Sequence, residues 1–440
     1  MAGDWRKYEI SRLLDDGKLM IGDGYRAKNE ELATSGIPFA RAGNIKDGFQ
    51  FHDADRFPEC NLSRVGNKIS EPGDVVFTSK GTVGRFALVT TKTPRFVYSP
   101  QLCFWRSVDA TLIEPRFLFY WMFGHEFFVQ FKGVAGQTDM AEYVSLGDQR
   151  RMHITLPPAP EQRAIAQILG KLDDKIELHR RMSETLEAMA CALFKSWFVD
   201  FDPVRAKTEG RDPGLPKPLE DLFPDRLVES ELGEIPEGWE VAPLPEVVDV
   251  NPTRALRKGV TAPYLDMANM PTQGHSADDV INREFGSGMR FINGDTLVAR
   301  ITPCLENGKT AFVDFLEHGQ VGWGSTEYIV LRPKPPLPEE YAYCLARSPE
   351  FRDFAIQSMT GTSGRQRVPA ESLAHFQVAV PPRPIAEAFG RAVKPRFARA
   401  SAAVRETRTL AALRDALLPK LISGEVRVEG AGQLLKEATQ

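Results

Sequence analysis

The chain has 440 residues, of which 42% are hydrophobic and 26% charged, with a formal net charge of −4. This composition excludes a disordered chain, a collagen-like repeat and a mini-protein, and at roughly 150 residues per domain it leaves room for about three units. The charge is uneven: residues 200–240 hold 12 acidic and 5 basic side chains while residues 390–427 hold 3 and 9, so the overall sign does not exclude a polyanionic partner.

The N-terminus, MAGDWRKYEI, lacks the apolar core of a secretory signal. The most apolar stretch, Phe117–Phe123, is far shorter than the ~20 residues a bilayer requires. Cys60, Cys103, Cys191, Cys304 and Cys344 are scattered, without CxxC spacing, which fits a reducing cytoplasm better than a disulfide framework or a zinc site. Val75–Thr78, Arg85–Thr90 and Gln101–Trp105 read as strands, rich in β-branched and aromatic residues. An aromatic helix follows from Pro115 to Lys132, with Phe117, Tyr120, Trp121, Phe127, Phe128 and Phe131 facing inward as core. A polar loop, AGQTDM, and a short strand lead to Pro157-Pro158.

A long helix then runs from about Pro160 to Val199. Ile165, Leu169, Leu172, Ile176, Leu186, Ala190, Leu193 and Trp197 form a coiled-coil stripe, interrupted by His179 and Ser183. Some 40 residues at a 1.5 Å rise make roughly 60 Å of rod, too long for the core helix of a small domain. Residues 203–233 contain five prolines and read as a connector. A second long helix carries Phe397, Val404, Leu410, Leu413, Leu417 and Leu421, ending at Ser423-Gly424; Pro395 predicts a break or kink near its start.

The chain is written twice. Trp5 lies opposite Trp239, Gly73-Asp74 opposite Gly294-Asp295, and Ser99–Arg106 opposite Ser325–Arg332. His125-Glu126-Phe127 matches Pro349-Glu350-Phe351, and Pro157-Pro158 matches Pro381-Pro382, in unbroken order. Two similar stripes, one per copy, invite antiparallel pairing about a pseudo-twofold axis.

The run LPPAPEQRAIAQILGKLDDKIELHRRMSETLEAMACALFKSWFVDFDPV resembles the central conserved region of type I restriction–modification specificity subunits. LGEIPEGWEV resembles the opening of their second target-recognition domain, and LAALRDALLPKLISGEVRV their distal conserved region. PPRPIAEAF departs from the pattern, lacking the Glu-Gln of PPAPEQ. The resemblance implies an α+β chain of two tandem mixed α/β target-recognition domains joined by two long antiparallel helices. The expected divisions are 1–157 for the first recognition domain, 158–202 for the central helix and 203–233 for an acidic linker. Residues 234–381 would be the second recognition domain, 382–427 the distal helix and 428–440 a tail.

The resemblance further implies a non-catalytic reader of a bipartite, asymmetric site in double-stranded DNA. It would scaffold two adenine-N6 methyltransferase subunits and ATP-driven restriction subunits in the cytoplasm. S-adenosylmethionine, ATP and Mg would belong to those partners, with no cofactor in this chain. Partner docking is expected near the helix ends, at Glu161, Gln162, Ile165 and Ile168 and at Phe194, Trp197, Phe198 and Phe201. The last four could equally pack under a recognition domain.

The residues themselves offer little chemistry. Gly308-Lys309-Thr310 lacks the first glycine of a phosphate loop, because position 303 is proline. Phe285-Gly286-Ser287-Gly288 has the wrong spacing for a methyl-donor loop, and Asn251-Pro252-Thr253-Arg254 lacks an aromatic residue to stack on a flipped base. The histidines form no HxH or HExxH, and Asp74 reads as a turn carboxylate before a strand. DNA reading needs cations for phosphates and bidentate side chains for base edges. In the first copy the candidates are Arg41, Asn44, Lys80, Thr82, Arg85, Gln137 and Thr138; in the second they are Arg300, Thr302, Lys309, Thr362, Ser363, Arg365, Gln366 and Arg367. The rival readings are a coiled-coil protein scaffold, which would not need polar glycine loops in both copies, and a solitary methyltransferase or nuclease.

Overall fold

The computed structural model describes residues 4–46, 48–79, 84–135, 144–362 and 364–428. The backbone groups into two compact units, Met1–Ile176 with Thr409–Gln440, and Glu177–Arg408. The division falls inside both long helices, Ala159–Phe198 and Arg383–Ile422.

In the first unit an antiparallel sheet has the order Leu19–Asp23, Leu102–Ser107, Val75–Thr78, Phe86–Leu88. Val75–Thr78 is buried throughout, so it reads as a continuous apolar run rather than alternating. Val75 and Phe77 face one cluster with Trp105, Phe117, Trp121 and Phe127, and Val76 faces another with Tyr98 and Phe104. A second sheet joins Arg56–Phe57, Ile37–Ala40 and Val97–Tyr98, the last pair parallel. Arg6–Glu9 pairs with His153–Leu156. The aromatic helix is two, Pro115–Trp121 and His125–Ala135. Its expected core residues are buried except Phe128, which is 56% exposed; one residue on from Phe127, it is rotated about 100° away from the core.

The second unit repeats this plan. Its main sheet has the order Val248–Val250, Tyr328–Pro333, Thr296–Ala299, Thr310–Phe312, again antiparallel. Its second sheet holds Ile281–Glu284, Thr261–Leu265, Gly322–Gly324 and Met289–Phe291, with the same kind of parallel pair at Tyr264 and Trp323. Glu240–Pro243 pairs with Gln377–Val380. Both copies bury the same charge pair beside the central strand. Asp74, fully buried, takes Arg106 at 2.6 Å, and Asp295, also fully buried, takes Arg254 at 3.0 Å and Arg332 at 3.5 Å.

Each unit holds part of both long helices. In the first, Ile165, Leu169 and Leu172 share a core with Leu410, Leu417 and Leu421, and Asp173 pairs with Arg414 at 3.0 Å. In the second, His179 meets Glu406 at 3.3 Å and the ring of Phe194 lies 6.2 Å from that of Phe389, so the helices are antiparallel there. His179 and Ser183 do not interrupt the seam but lie buried in it. The expected break at Pro395 is absent: the helix runs unbroken from Arg383 to Ile422. Val393 and Phe397, buried on either side of the proline, hold the turn against the core and offset the lost backbone donor. The helix stops where expected, with Gly424 at φ 74°. The 203–233 stretch is structured, with helices Asp202–Thr208 and Lys217–Glu220 and a hairpin of Leu227–Ser230 with Gly233–Pro236. No helix among the described residues is long and apolar enough to cross a membrane.

Candidate functional site

In the first unit the strand Ile37–Ala40 runs into a tight turn, Ala42–Asn44. Asn44 closes the turn: its Oδ1 accepts from the Arg41 N–H at 2.8 Å, and its Nδ2 donates to the Gln50 carbonyl at 2.9 Å. The Arg41 guanidinium is half-exposed beside Asp55, at 2.6 Å. Gln101, at the mouth of the central strand, accepts the Ala42 N–H on its Oε1 at 3.1 Å, and its carbonyl accepts the Ser79 N–H at 2.9 Å. Arg85 reaches the same turn, donating from Nη1 to the Ile45 carbonyl at 3.4 Å. The corner encloses an open polar cleft of about 340 Å³, lined by Arg41, Asn44, Lys46, Gln50 and Gln101. Three candidates, Arg41, Asn44 and Arg85, therefore converge. Lys80, Thr82, Gln137 and Thr138 lie outside the described residues.

The second unit builds the corresponding corner from different side chains. Thr261–Leu265 runs into a turn in which Asp266 Oδ1 accepts the Asn269 N–H at 2.8 Å. PYLDMANM here stands where PFARAGNI stands in the first copy, a pairing that the sequence offered and that sequence reasoning missed. Lys309 holds this turn, its ammonium donating to the carbonyls of Met267 and Ala268 at 2.5 and 3.1 Å. Gly308 precedes it at φ 74°, a conformation glycine adopts without strain, so GKT marks a turn into the strand Thr310–Phe312. Arg85 and Lys309, each placed just before the edge strand of its sheet, both donate to backbone carbonyls of the turn region, Arg85 at Ile45 and Lys309 at Met267 and Ala268.

The remaining second-unit candidates come together from two distant segments. The Thr302 N–H donates to the Gln366 carbonyl at 3.0 Å and the Val368 N–H to the Arg300 carbonyl at 2.9 Å, laying 300–302 beside 366–368. Thr360 and Arg367 exchange backbone bonds at 2.9 Å, which folds Thr362 and Arg365 into an exposed tip. Ser363 lies outside the described residues. Arg367 is not free: its Nε lies 2.9 Å from both oxygens of Glu327, and Nη2 is 2.8 Å from Oε1. That hydrogen-bonded pairing raises the guanidinium pKa above its ordinary value. Glu327 corresponds to Gln101, because the Arg300 N–H donates to its carbonyl at 3.0 Å as Ser79 does to that of Gln101. Among the described residues no group of three or more His, Cys, Asp or Glu is placed to hold a metal ion.

The expected partner residues are largely spent on the fold. Phe194, Trp197, Phe198 and Phe201 are 2–7% exposed and pack against Phe389, Tyr341, Phe223 and Trp239. Of the two readings left open for these rings, burial within the chain is the one observed, and their assignment as a partner surface is corrected accordingly. Large aromatic faces find their cover in the nearest core. Ile165 is likewise core, and Ile168 packs against it. Gln162 is buried with its amide donating to Leu112 and Pro157 and accepting from the Glu114 N–H. Glu161 receives Arg427 at 2.6 Å and the indole of Trp5 at 3.2 Å. The large apolar side chains of this helix that do stand exposed are Leu178 and Met189.

Residues 6–188 match the family model of the type I restriction modification DNA specificity domain. The chain is similar over nearly its whole length to the HindI specificity subunit of Haemophilus influenzae, at 23% identity over 96% of this chain and 100% of that protein. It is similar to the MjaIX specificity subunit of Methanocaldococcus jannaschii at 25% identity, over 97% and 94% of the two. In fold it is similar to the crystal structure of a type I restriction–modification S subunit from M. genitalium, with a TM-score of 0.58 and 15% identity over 95% of this chain and 96% of that one.

Proposed function

We propose a division of labour that starts from one premise: the chain belongs to the family of type I restriction–modification specificity subunits, and it recognises DNA. Each unit reads one half of a bipartite site, and the long helices join the readers and carry two methyltransferase subunits and the restriction subunits. This chain performs no chemistry. S-adenosylmethionine, ATP and Mg act in the partners, and the reader works in the cytoplasm with them.

The observation that carries this reading is the repeated corner with unequal side chains. Both units carry a turn after the first strand of the second sheet, a strand mouth whose carbonyl is held by a neighbouring backbone N–H, and a cation before the edge strand that donates to carbonyls of the turn region, Arg85 to Ile45 and Lys309 to Met267 and Ala268. Yet Arg41 stands where Asp266 does, and Gln101 where Glu327 does. Scaffolding alone does not call for two such corners, and two different chemistries fit an asymmetric site.

The test is a methylome. The chain is co-expressed with its methyltransferase subunit in a strain without other adenine methylation, and modified adenines are mapped by single-molecule sequencing. The expected result is a split motif with a fixed gap. A co-purifying, folded complex that modifies no adenine would overturn the DNA-reading assignment.

A further inference from the structure

We propose that Gln101 and Glu327 are the specificity-determining positions of the two corners, one for each half-site. The proposal rests on the DNA-reading function above. Both residues lie just before the central strand of their sheet, Leu102–Ser107 in one unit and Tyr328–Pro333 in the other. In both, a backbone N–H from the end of the neighbouring strand fixes the carbonyl, at 2.9 Å from Ser79 and 3.0 Å from Arg300. The backbone is therefore pinned in the same way twice, and the side chain is what differs.

The two side chains make different contacts: Gln101 reaches the turn after Ile37–Ala40, and Glu327 reaches Arg367 of the 360–367 loop. The Gln101 amide oxygen holds the turn that carries Arg41 and Asn44, and Gln101 is itself exposed. An amide offers a donor and an acceptor, the pair that suits an adenine edge. Glu327 only accepts, and it clamps the Nε edge of Arg367 while leaving that side chain 43% exposed. A free arginine would take any phosphate. A clamped one presents a fixed fork, and a fixed fork can discriminate base edges.

The experiment selects randomised duplexes on the full chain in complex with its methyltransferase subunits, comparing wild type with Gln101→Ala, Glu327→Gln and Glu327→Asp. Wild type yields a two-part motif. Gln101→Ala lowers the base preference of one half by about tenfold or more and leaves the other half intact. Glu327→Gln does the same to the opposite half and steepens the dependence of log affinity on log salt by about 0.9, because it frees one cation for phosphate. Glu327→Asp, which keeps the carboxylate, retains part of that preference. Motif halves that stay unchanged in the variants, or that weaken together, would overturn the assignment. Weaker binding to every duplex with no change in preference would make these residues structural and overturn it equally. Failure of the wild type to select any two-part motif is a different result, and it would overturn the function itself along with this assignment.

Discussion

His275 is a fully buried histidine lying between two carboxylates, with Glu187 on one long helix at 3.9 Å and Asp314 at 3.6 Å. Ser401 of the other long helix lies 3.2 Å from its Nε2. Burial disfavours charge on the ring, but the two carboxylates outweigh it and push the pKa up to about 9. A raised histidine pKa adds stability that is fully present below about pH 6.5 and is lost as pH rises through about 9. The whole effect is at most about 3 kcal/mol. Thermal unfolding followed from pH 6 to pH 10 should show this loss, and His275→Gln should lower stability at pH 6 and flatten the profile. A variant with an unchanged profile would remove His275 as the cause. Single residues were the least legible part of the sequence. Lys309 stands among the DNA-contact candidates because a sequence shows the charge and hides the carbonyls of Met267 and Ala268, some 40 positions away, that absorb it.

The elements were more legible, because periodicity reports burial directly. The apolar seam residues of the first long helix follow from spacing and the stop of the second from its glycine, whereas the polar His179 and Ser183 of that seam do not. Spacing cannot say what covers an apolar face, which is why Phe194, Trp197, Phe198 and Phe201 admitted two readings. The two readings differ in a measurable way. As core, Phe194→Ala destabilises the isolated chain by about 3–5 kcal/mol, since it empties a site shared with Phe198, Tyr341 and Phe389. Denaturant unfolding of the chain alone reads that loss. A variant of wild-type stability that failed to bind the methyltransferase subunit proposed as its partner, where the wild type binds it, would restore the partner reading. Pro395 failed as a helix breaker for a related reason: propensity is local, and the packing of Val393 and Phe397 overrides it.

At the scale of the molecule the repeat carries the most information. Matched pairs such as Asp74 with Asp295 and Arg106 with Arg332 were visible as letters, and they proved to be the same buried ion pair built twice. Sheet order repeats with them. The first corner was partly legible, since Arg41, Asn44 and Arg85 stood among the candidates, but its counterpart at Asp266–Asn269 was missed because its side chains diverge and the surrounding frame aligns better than the corner itself. Duplicated frames with divergent corners make a specific demand on recognition. A chain in which residues 234–381 are replaced by a second copy of residues 1–157 keeps both long helices but carries one kind of corner twice. Its methylome should show a single half-site pattern occurring twice, separated by the same gap as in wild type. A retained second half-site would place recognition outside the exchanged residues. A changed gap would mean that the recognition units, and not the helices, set the spacing.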